Sequence, residues 1–409
     1  MKKDLNVLII DRNDYRTFGG LEKVLLVFLE FIKENYPNIN VEMFSLVYSR
    51  FSINNIFNKF KISNNDSYFL RKLKENNINF HVVSRFYFKG LGFINLFFKS
   101  LFNLDLLRGY NDFYCFLKEK KFDVVLLLNP FYLTVVNLII KRLGYSSKII
   151  YWDHGILTNL LYLHNNINNN IFFKMNQKLV IKEIKKVIKS VDSYLCISSG
   201  IEKIIKELNP EAKTYLVYNP VEIPKGVRLI PRGENNILLY VGRIEDKQKN
   251  ISFMLRGLTK LKEYKWELRV VGKGPDEEKL KKLASELGIG KRIKWEGFKK
   301  DPYEDLEEAK VLLLTSRWEG LPLVLLESNI RGIPFLSSNC LSGPEDIVIE
   351  GVNGYLYKEG DMEDFVNKLR KILINELRFS EPYEIHKTSY RFEKSKILNN
   401  ITNIILGSL

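Results

Sequence analysis

The chain has 409 residues and a mass of 48.0 kDa, more than one hydrophobic core usually organises, so a single small module is excluded and two domains are expected. It is 45% hydrophobic, 13% aromatic and 27% charged, which supplies ample apolar surface for packed cores and excludes a disordered chain. Lys and Arg number 63 against 48 Asp and Glu, a net charge of +15, and 32 of the basic but only 20 of the acidic side chains fall in residues 1–225. A basic N-terminal half suits an anionic partner, phospholipid or a phosphorylated acceptor, or a plain solubilising surface.

Taken in chain order, Leu5 to Ile10 is a first buried strand, too short and too closely preceded by Lys2-Lys3-Asp4 to read as a signal peptide. Further strands are expected at 40–46, 78–83, 122–128, 147–152 and 193–197, with helices such as 20–35 and 174–190 between them. Val124 to Ile140 is apolar enough to suggest a membrane span, but Asn129-Pro130 splits it and Asn137 interrupts it, so it reads as strand, turn and helix. Residues 86–110 mix six Phe or Tyr before Phe102 with scattered lysines, a composition that suits either a helix packed on the sheet or a membrane-interface helix. Lys174, Lys178, Lys182, Lys185 and Lys189 share one helical face, which is either solvated or drawn to anionic lipid together with 86–110. Asn219-Pro220 to Arg232-Gly233 holds three prolines and no helical period, and marks a boundary. A second strand set follows at 237–241, 266–271, 292–296, 310–315 and 333–337. Apolar runs alternating with amphipathic helical segments imply an α/β architecture of two doubly wound domains, with ligands at the carboxyl ends of the strands. Cys115, Cys196 and Cys340 have no metal-ligand spacing and form no disulfide framework, which fits a reducing cytosol.

The chemistry is concentrated in the second half. Ser316-Arg317-Trp318-Glu319-Gly320-Leu321-Pro322-Leu323-Val324-Leu325-Leu326-Glu327 follows an apolar strand, so Glu319 falls in the loop and Glu327 inside a helix. The free N–H groups and positive dipole end of that helix favour phosphate, and the carboxylates are then best used as acceptors from sugar hydroxyls. Val241-Gly242-Arg243 follows another strand and leads to Lys247, Lys249 and Asn250, which puts cations where a diphosphate would need them. Gly272 in Val271-Gly272-Lys273-Gly274 and the pair Gly297-Phe298 mark two more strand exits. In the first half, Gly19 and Gly20 stand after strand one, and His154 stands at a strand exit between Asp153 and Gly155, where Asp153 could orient it.

This set, in this order, resembles the C-terminal domain of family 4 retaining glycosyltransferases (glycosyl transferases group 1), which have the GT-B fold. The resemblance covers about residues 237–375 strongly and the first half weakly. It implies two Rossmann-like domains facing across a cleft: an acceptor-binding domain at 1–224, a donor-binding domain at 225–388, and a C-terminal helix at 389–409 packing back toward the first. It implies a nucleotide-sugar donor, here a UDP-hexose, no required cofactor and no metal, and the chain has no Asp-x-Asp signature. By the same resemblance Arg243 and Lys249, with Lys247 as an alternative to the latter, meet the donor diphosphate. Glu327 meets the ribose, Glu319 the donor sugar, and the N–H groups of Leu321, Pro322's neighbour Leu323 and Val324 the phosphates. Gly19, Gly20, Gly242, Gly272, Phe298 and Gly320 line the donor site, and His154 lies near the transferred sugar.

Gly320-Leu321-Pro322 stands where the family more often has glycine-aromatic-glycine, and it resembles the branch that builds bacterial surface saccharides, lipopolysaccharide and capsule among them. The expected protein is therefore a hexosyltransferase acting on a saccharide or lipid-linked acceptor, cytoplasmic or peripheral on the inner membrane face, with no nucleic-acid partner. The rival readings are a nucleotide-sugar epimerase of the same fold and a non-catalytic membrane- or polyanion-binding protein.

Overall fold

A computed structural model describes residues 4–11, 19–49, 68–86, 113–129, 133–155 and 188–407, with backbone alone at 46–49, 82–86 and 133–135. The aromatic segment 86–110, apart from Phe86, and most of the lysine face, Lys174 to Lys185, lie outside the described residues.

Apolar runs with no polar face become strands buried on both sides. Val124–Leu127 and Val311–Leu314 are buried at every position, as parallel sheets covered by helices require. The first sheet holds β1 (Leu5–Asp11), β2 (Ile39–Ser49), β3 (Asn79–Phe86), β4 (Val124–Leu127), β5 (Lys148–Asp153), β6 (Ser193–Cys196) and β7 (Thr214–Leu216), in the order β3-β2-β1-β4-β5-β6-β7. The second holds β8 (Ile237–Val241), β9 (Glu267–Val271), β10 (Ile293–Gly297), β11 (Val311–Leu314), β12 (Phe335–Asn339) and β13 (Gly354–Lys358), in the order β10-β9-β8-β11-β12-β13. All these pairings are parallel. Both orders reverse beside the first strand, between β1 and β4 and between β8 and β11, which places a crevice at each reversal.

The helices used below are α1 (Gly20–Asn35), α2 (Tyr68–Glu75), α3 (Leu133–Arg142), α4 (Ser199–Leu208), α5 (Asp246–Lys249), α6 (Ile251–Thr259), α7 (Glu277–Glu286), α8 (Leu323–Ile330), α9 (Pro344–Ile347), α10 (Met362–Leu373), α11 (Pro382–Thr388) and α12 (Lys394–Gly407). Helix α1 buries Val24, Leu25, Phe28, Leu29 and Ile32, with the Phe28 ring edge-on to Trp152 of β5 at 5.5 Å. One hydrophobic cluster covers the second sheet's far face through α6 and α10. The other runs from the first sheet through α8 to the terminal helix, so the two sheets share a core. Helix α12 contributes Ile397, Leu398, Ile401 and Ile405 to it, and Tyr36 at the end of α1 donates to Asn399 at 2.9 Å. Strands β7 and β13 were not expected from the sequence; both are edge strands, β7 half-buried throughout and β13 buried at Gly354 and Tyr357 alone of its five residues.

Candidate active site

The carboxyl end of β8 leads into Gly242 and Arg243. Tyr240 turns its hydroxyl back onto the Arg243 carbonyl at 2.8 Å, which fixes the backbone while the Arg243 side chain stays 67% exposed beside Glu245 at 3.0 Å. Helix α5 then runs for one turn and stops at Asn250, whose left-handed backbone (φ 52°) redirects the chain into α6. Asn is among the few side-chain-bearing residues that enter this region at modest cost. Asp246 stabilises the junction by accepting from the Ser252 N–H at 2.7 Å.

The loop after β11 is stitched to this turn. Thr315 donates to the carbonyls of Lys249 and Asn250 at 2.9 and 3.2 Å, and Arg317 forks onto those of Asp246 and Lys247 at 2.6 and 2.9 Å. Gln248 donates to the Trp318 carbonyl at 3.1 Å. These bonds bring Lys249 Nζ to 2.7 Å from Glu319 Oε1, in a pair only 18% and 9% exposed. Taking either charge out of water alone is costly, and the pairing offsets part of that cost. Lys247 is exposed. Behind the turn, Ser342 donates to the Glu319 and Gly320 carbonyls at 2.6 and 3.2 Å, and Ser338 to that of Ser316 at 2.6 Å.

Pro322, with an extended backbone, precedes α8 as its N-cap. The first helical bond is Leu325 N–H to the Pro322 carbonyl at 3.0 Å, so the N–H groups of Leu323 and Val324 precede the helical ladder and are suited to an anion. Glu327, a turn further on, accepts from Lys23 Nζ of α1 at 2.5 Å. A Cβ built on Gly20 would lie 3.6 Å from Leu323 Cδ1, so the starts of α1 and α8 face each other. Gly19 donates its N–H to Glu22 at 2.9 Å.

Gly242, Gly272 and Phe298 stand at the neighbouring exits of β8, β9 and β10. A Cβ on Gly272 would fall 1.8 Å from the Gly242 carbonyl oxygen, and Gly272 N–H donates to the Gly297 carbonyl at 2.8 Å. Phe298 follows, 73% exposed.

His154, at the exit of β5, reaches this group from the other sheet: a Cβ on Gly320 would lie 3.0 Å from the His154 carbonyl oxygen. Its ring leans on Trp152 at 4.7 Å, and its Nε2 is shielded from solvent with no hydrogen-bond partner among the described residues. Burial lowers its pKa to about 3, so the imidazole is neutral at pH 7. Asp153 Oδ1 accepts the Gly155 N–H at 3.0 Å, which ties the turn that carries the histidine. Burial and then the Asp153 carboxylate push the Cys196 thiol well above its ordinary range, which keeps it protonated.

The structure thus brings Lys249, Glu319, Gly320, the α8 start and His154 to one place, with Arg243 on an exposed arm beside it. Sequence reasoning missed Thr315, Gln248, Arg317 and Ser342, which position the turn through backbone carbonyls, and Lys23, which follows the glycine pair but gives no local sign of its partner.

Two facing doubly wound domains, with cations, a helix start and carboxylates at the second sheet's carboxyl end, define the GT-B class of sugar transferases. Residues 222–391 match the model of the family "Glycosyl transferases group 1", and the chain is a glycosyltransferase. It is 29% identical over 402 residues, 96% of either chain, to the lipopolysaccharide 1,6-galactosyltransferase of Salmonella typhimurium. It is 37% identical over 235 residues to that of Escherichia coli, a match spanning 56% of this chain and 65% of the relative. Among solved structures it superposes on the lipopolysaccharide outer core galactosyltransferase WaaB in its apo form with a TM-score of 0.76 at 27% identity, covering 99% of this chain and 100% of the other. Anabaena Alr3699/HepE in complex with UDP-glucose, at 16% identity and a TM-score of 0.70 over 99% of this chain and 100% of that one, shares the fold.

Proposed function

We propose that the chain transfers a hexosyl group, galactosyl first among the candidates, from a UDP-sugar to a hydroxyl of a saccharide or lipid-linked saccharide in bacterial cell-surface glycan synthesis. The observation that carries this reading is the buried Lys249–Glu319 pair at the open start of α8, in a chain similar over 96% of its length to a lipopolysaccharide galactosyltransferase. In this reading residues 225–388 bind the donor and 1–224 the acceptor. The diphosphate lies between Arg243, Lys249 and the N–H groups of Leu323 and Val324, which stabilise the charge that develops as the glycosidic bond to phosphate breaks. Glu319 accepts from a hydroxyl of the donor sugar, Glu327 from the ribose, and Phe298 and the glycines of the β8–β10 exits line the base side. His154, uncharged, offers a hydrogen bond near the transferred sugar.

The acceptor hydroxyl attacks from the face the leaving group vacates, and its proton passes to the departing phosphate. Configuration is retained, no side chain is obliged to act as nucleophile and no metal is required. The reaction takes place at the cytoplasmic face of the membrane, with 86–110 and the lysine face at 174–189 as the membrane contact. Among the described residues no helix is long and apolar enough to cross a membrane.

The test is titration with UDP, GDP and ADP in EDTA, followed by transfer from UDP-galactose and UDP-glucose to lipid-linked saccharide in anionic liposomes. Metal-independent UDP binding is expected, with Arg243→Ala losing roughly 10²–10³-fold in turnover, the scale of one lost preorganised charge donor. The protein should float with the liposomes at low salt. Absence of nucleotide binding defeats the transfer reading, and absence of flotation defeats the membrane contact alone.

A further inference from the structure

Glu327 sits on α8, yet among the described residues the donor domain gives it no cation. Arg331, its neighbour one turn on, pairs with Asp301 at 2.6 Å. Tyr303, buried beside Glu327, points its hydroxyl to the Val324 carbonyl at 3.5 Å. The ammonium that meets Glu327 comes from the other domain, from Lys23 on the first turn of α1, at 2.5 Å and across 304 residues of chain. Lys23 engages Oε1, and Oε2 has no hydrogen-bond partner among the described residues. The contact lies where Gly20 and Leu323 bring the two helix starts together.

We propose that Lys23 is a positioning residue for Glu327, holding one carboxylate oxygen so that the other faces the donor ribose and making donor affinity depend on how the two domains stand. This rests on the reading of Glu327 as the ribose acceptor. Two physical effects act together. The ion pair fixes a side chain that would otherwise sample several rotamers, whose ordering binding would have to supply. It also offsets a negative charge that would repel an incoming diphosphate. Lys23 is about half-exposed, 54%, and Glu327 is 26% exposed, so the effect belongs to the range of solvent-screened pairs and should shrink as salt rises.

Calorimetric titration of the full chain with UDP tests this, using Lys23→Met, Lys23→Arg, Glu327→Gln and the double variant Lys23→Met/Glu327→Gln. Lys23→Met is expected to raise the UDP Kd by about twofold to fivefold at low salt, with less effect at high salt. Lys23→Arg should restore most of the affinity, since it keeps the charge. In the Glu327→Gln background, Lys23→Met should change nothing further, because the interaction it removes is already gone. In transfer assays the donor KM should rise with Lys23→Met while kcat at saturating donor holds, a split that general destabilisation does not produce. Wild-type affinity in Lys23→Met, or equal losses with and without Glu327, overturns the proposal while leaving the donor site intact. Failure of the wild type to bind UDP removes the ribose reading and this proposal with it.

Discussion

An imidazole buried with no counter-charge among the described residues is a hydrogen-bonding group, not an acid, and this limits what His154 does. Burial moves its pKa from 6.5 to about 3. Between those values the unfolded chain takes up a proton that the folded chain refuses, so folded stability is fully present above pH 6.5 and is lost progressively as pH falls toward 3. His154→Gln keeps a neutral hydrogen-bonding side chain without that titration. Urea unfolding at pH 7.5 and pH 5 should therefore show a larger loss for the wild type than for His154→Gln, with the mutant's transfer rate at pH 7 reduced by the lost contact. Parallel losses in the two proteins would mean that the ring titrates normally and is open to water. The other described histidines contrast with it. His81 meets Glu42 at 2.8 Å and His386 meets the Ile330 carbonyl at 2.7 Å, both partnered within the fold.

At the scale of elements, the loops after β8 and β9 depend on how closely the two strands leave the sheet together. Gly242 N–H donates to the Val271 carbonyl at 3.0 Å, and Gly272, at φ 149°, has space for no side chain toward the Gly242 carbonyl oxygen, 1.8 Å from where a Cβ would be. Gly272→Ala is expected to cost about 2–4 kcal/mol, combining backbone strain with a forced separation of the two exits, and to weaken UDP binding through Arg243. A thermal midpoint within a degree of wild type would show that the exits can part freely. Strand exits of this kind explain why much of the fold was legible in the sequence. Buried parallel strands write themselves as apolar runs, and the strands expected at 237–241, 266–271 and 292–296 match β8, β9 and β10 within a residue or so. The strand Thr214–Leu216 offered only three half-buried residues, and Gly354–Lys358 alternates Tyr, Leu and Tyr between a glycine and a lysine, so neither made such a run. Within the site, Glu319 and Lys249 could be singled out because each follows a strand closely. The hydrogen bonds of Thr315, Gln248, Arg317 and Ser342 to backbone carbonyls left no local pattern to read, and the Lys23–Glu327 contact depends on tertiary structure alone.

At the scale of the whole molecule, the domains also meet through a polar contact made by the start of α4 and Tyr218 with Asp346 of α9. The Ser199 N–H reaches both oxygens of Asp346 at 3.1 Å, and Tyr218 donates to the same carboxylate at 3.3 Å. Burial, followed by the nearby Asp346 charge, pushes the Tyr218 hydroxyl up to about 12, so it remains a donor across the physiological range. Burial also raises the Asp346 carboxyl above its usual range, against the bonds it accepts from Ser199 and Tyr218, so the ionised form is held at some expense and the contact stays a weak one. Its tightness comes from Gly200, where a Cβ would stand 2.6 Å from the Leu341 carbonyl oxygen and 2.7 Å from Ser342 Cβ. Ser342 is the residue that holds the Glu319 turn from behind. A methyl group at position 200 must therefore push the first domain off the loop that supports the Glu319 turn, while each sheet keeps its own strands and most of its core. Gly200→Ala is expected to lower transfer by about tenfold, a loss of roughly 1.4 kcal/mol in transition-state stabilisation, and to enlarge the radius of gyration measured by small-angle scattering. Its effect on UDP affinity should stay within that of Lys23→Met, because Arg243, Lys249 and the start of α8 all belong to the second domain. Wild-type transfer in Gly200→Ala would mean that the domain arrangement is not set at this contact, and a collapse of UDP binding would mean that Ser342 and the turn it supports had moved with it.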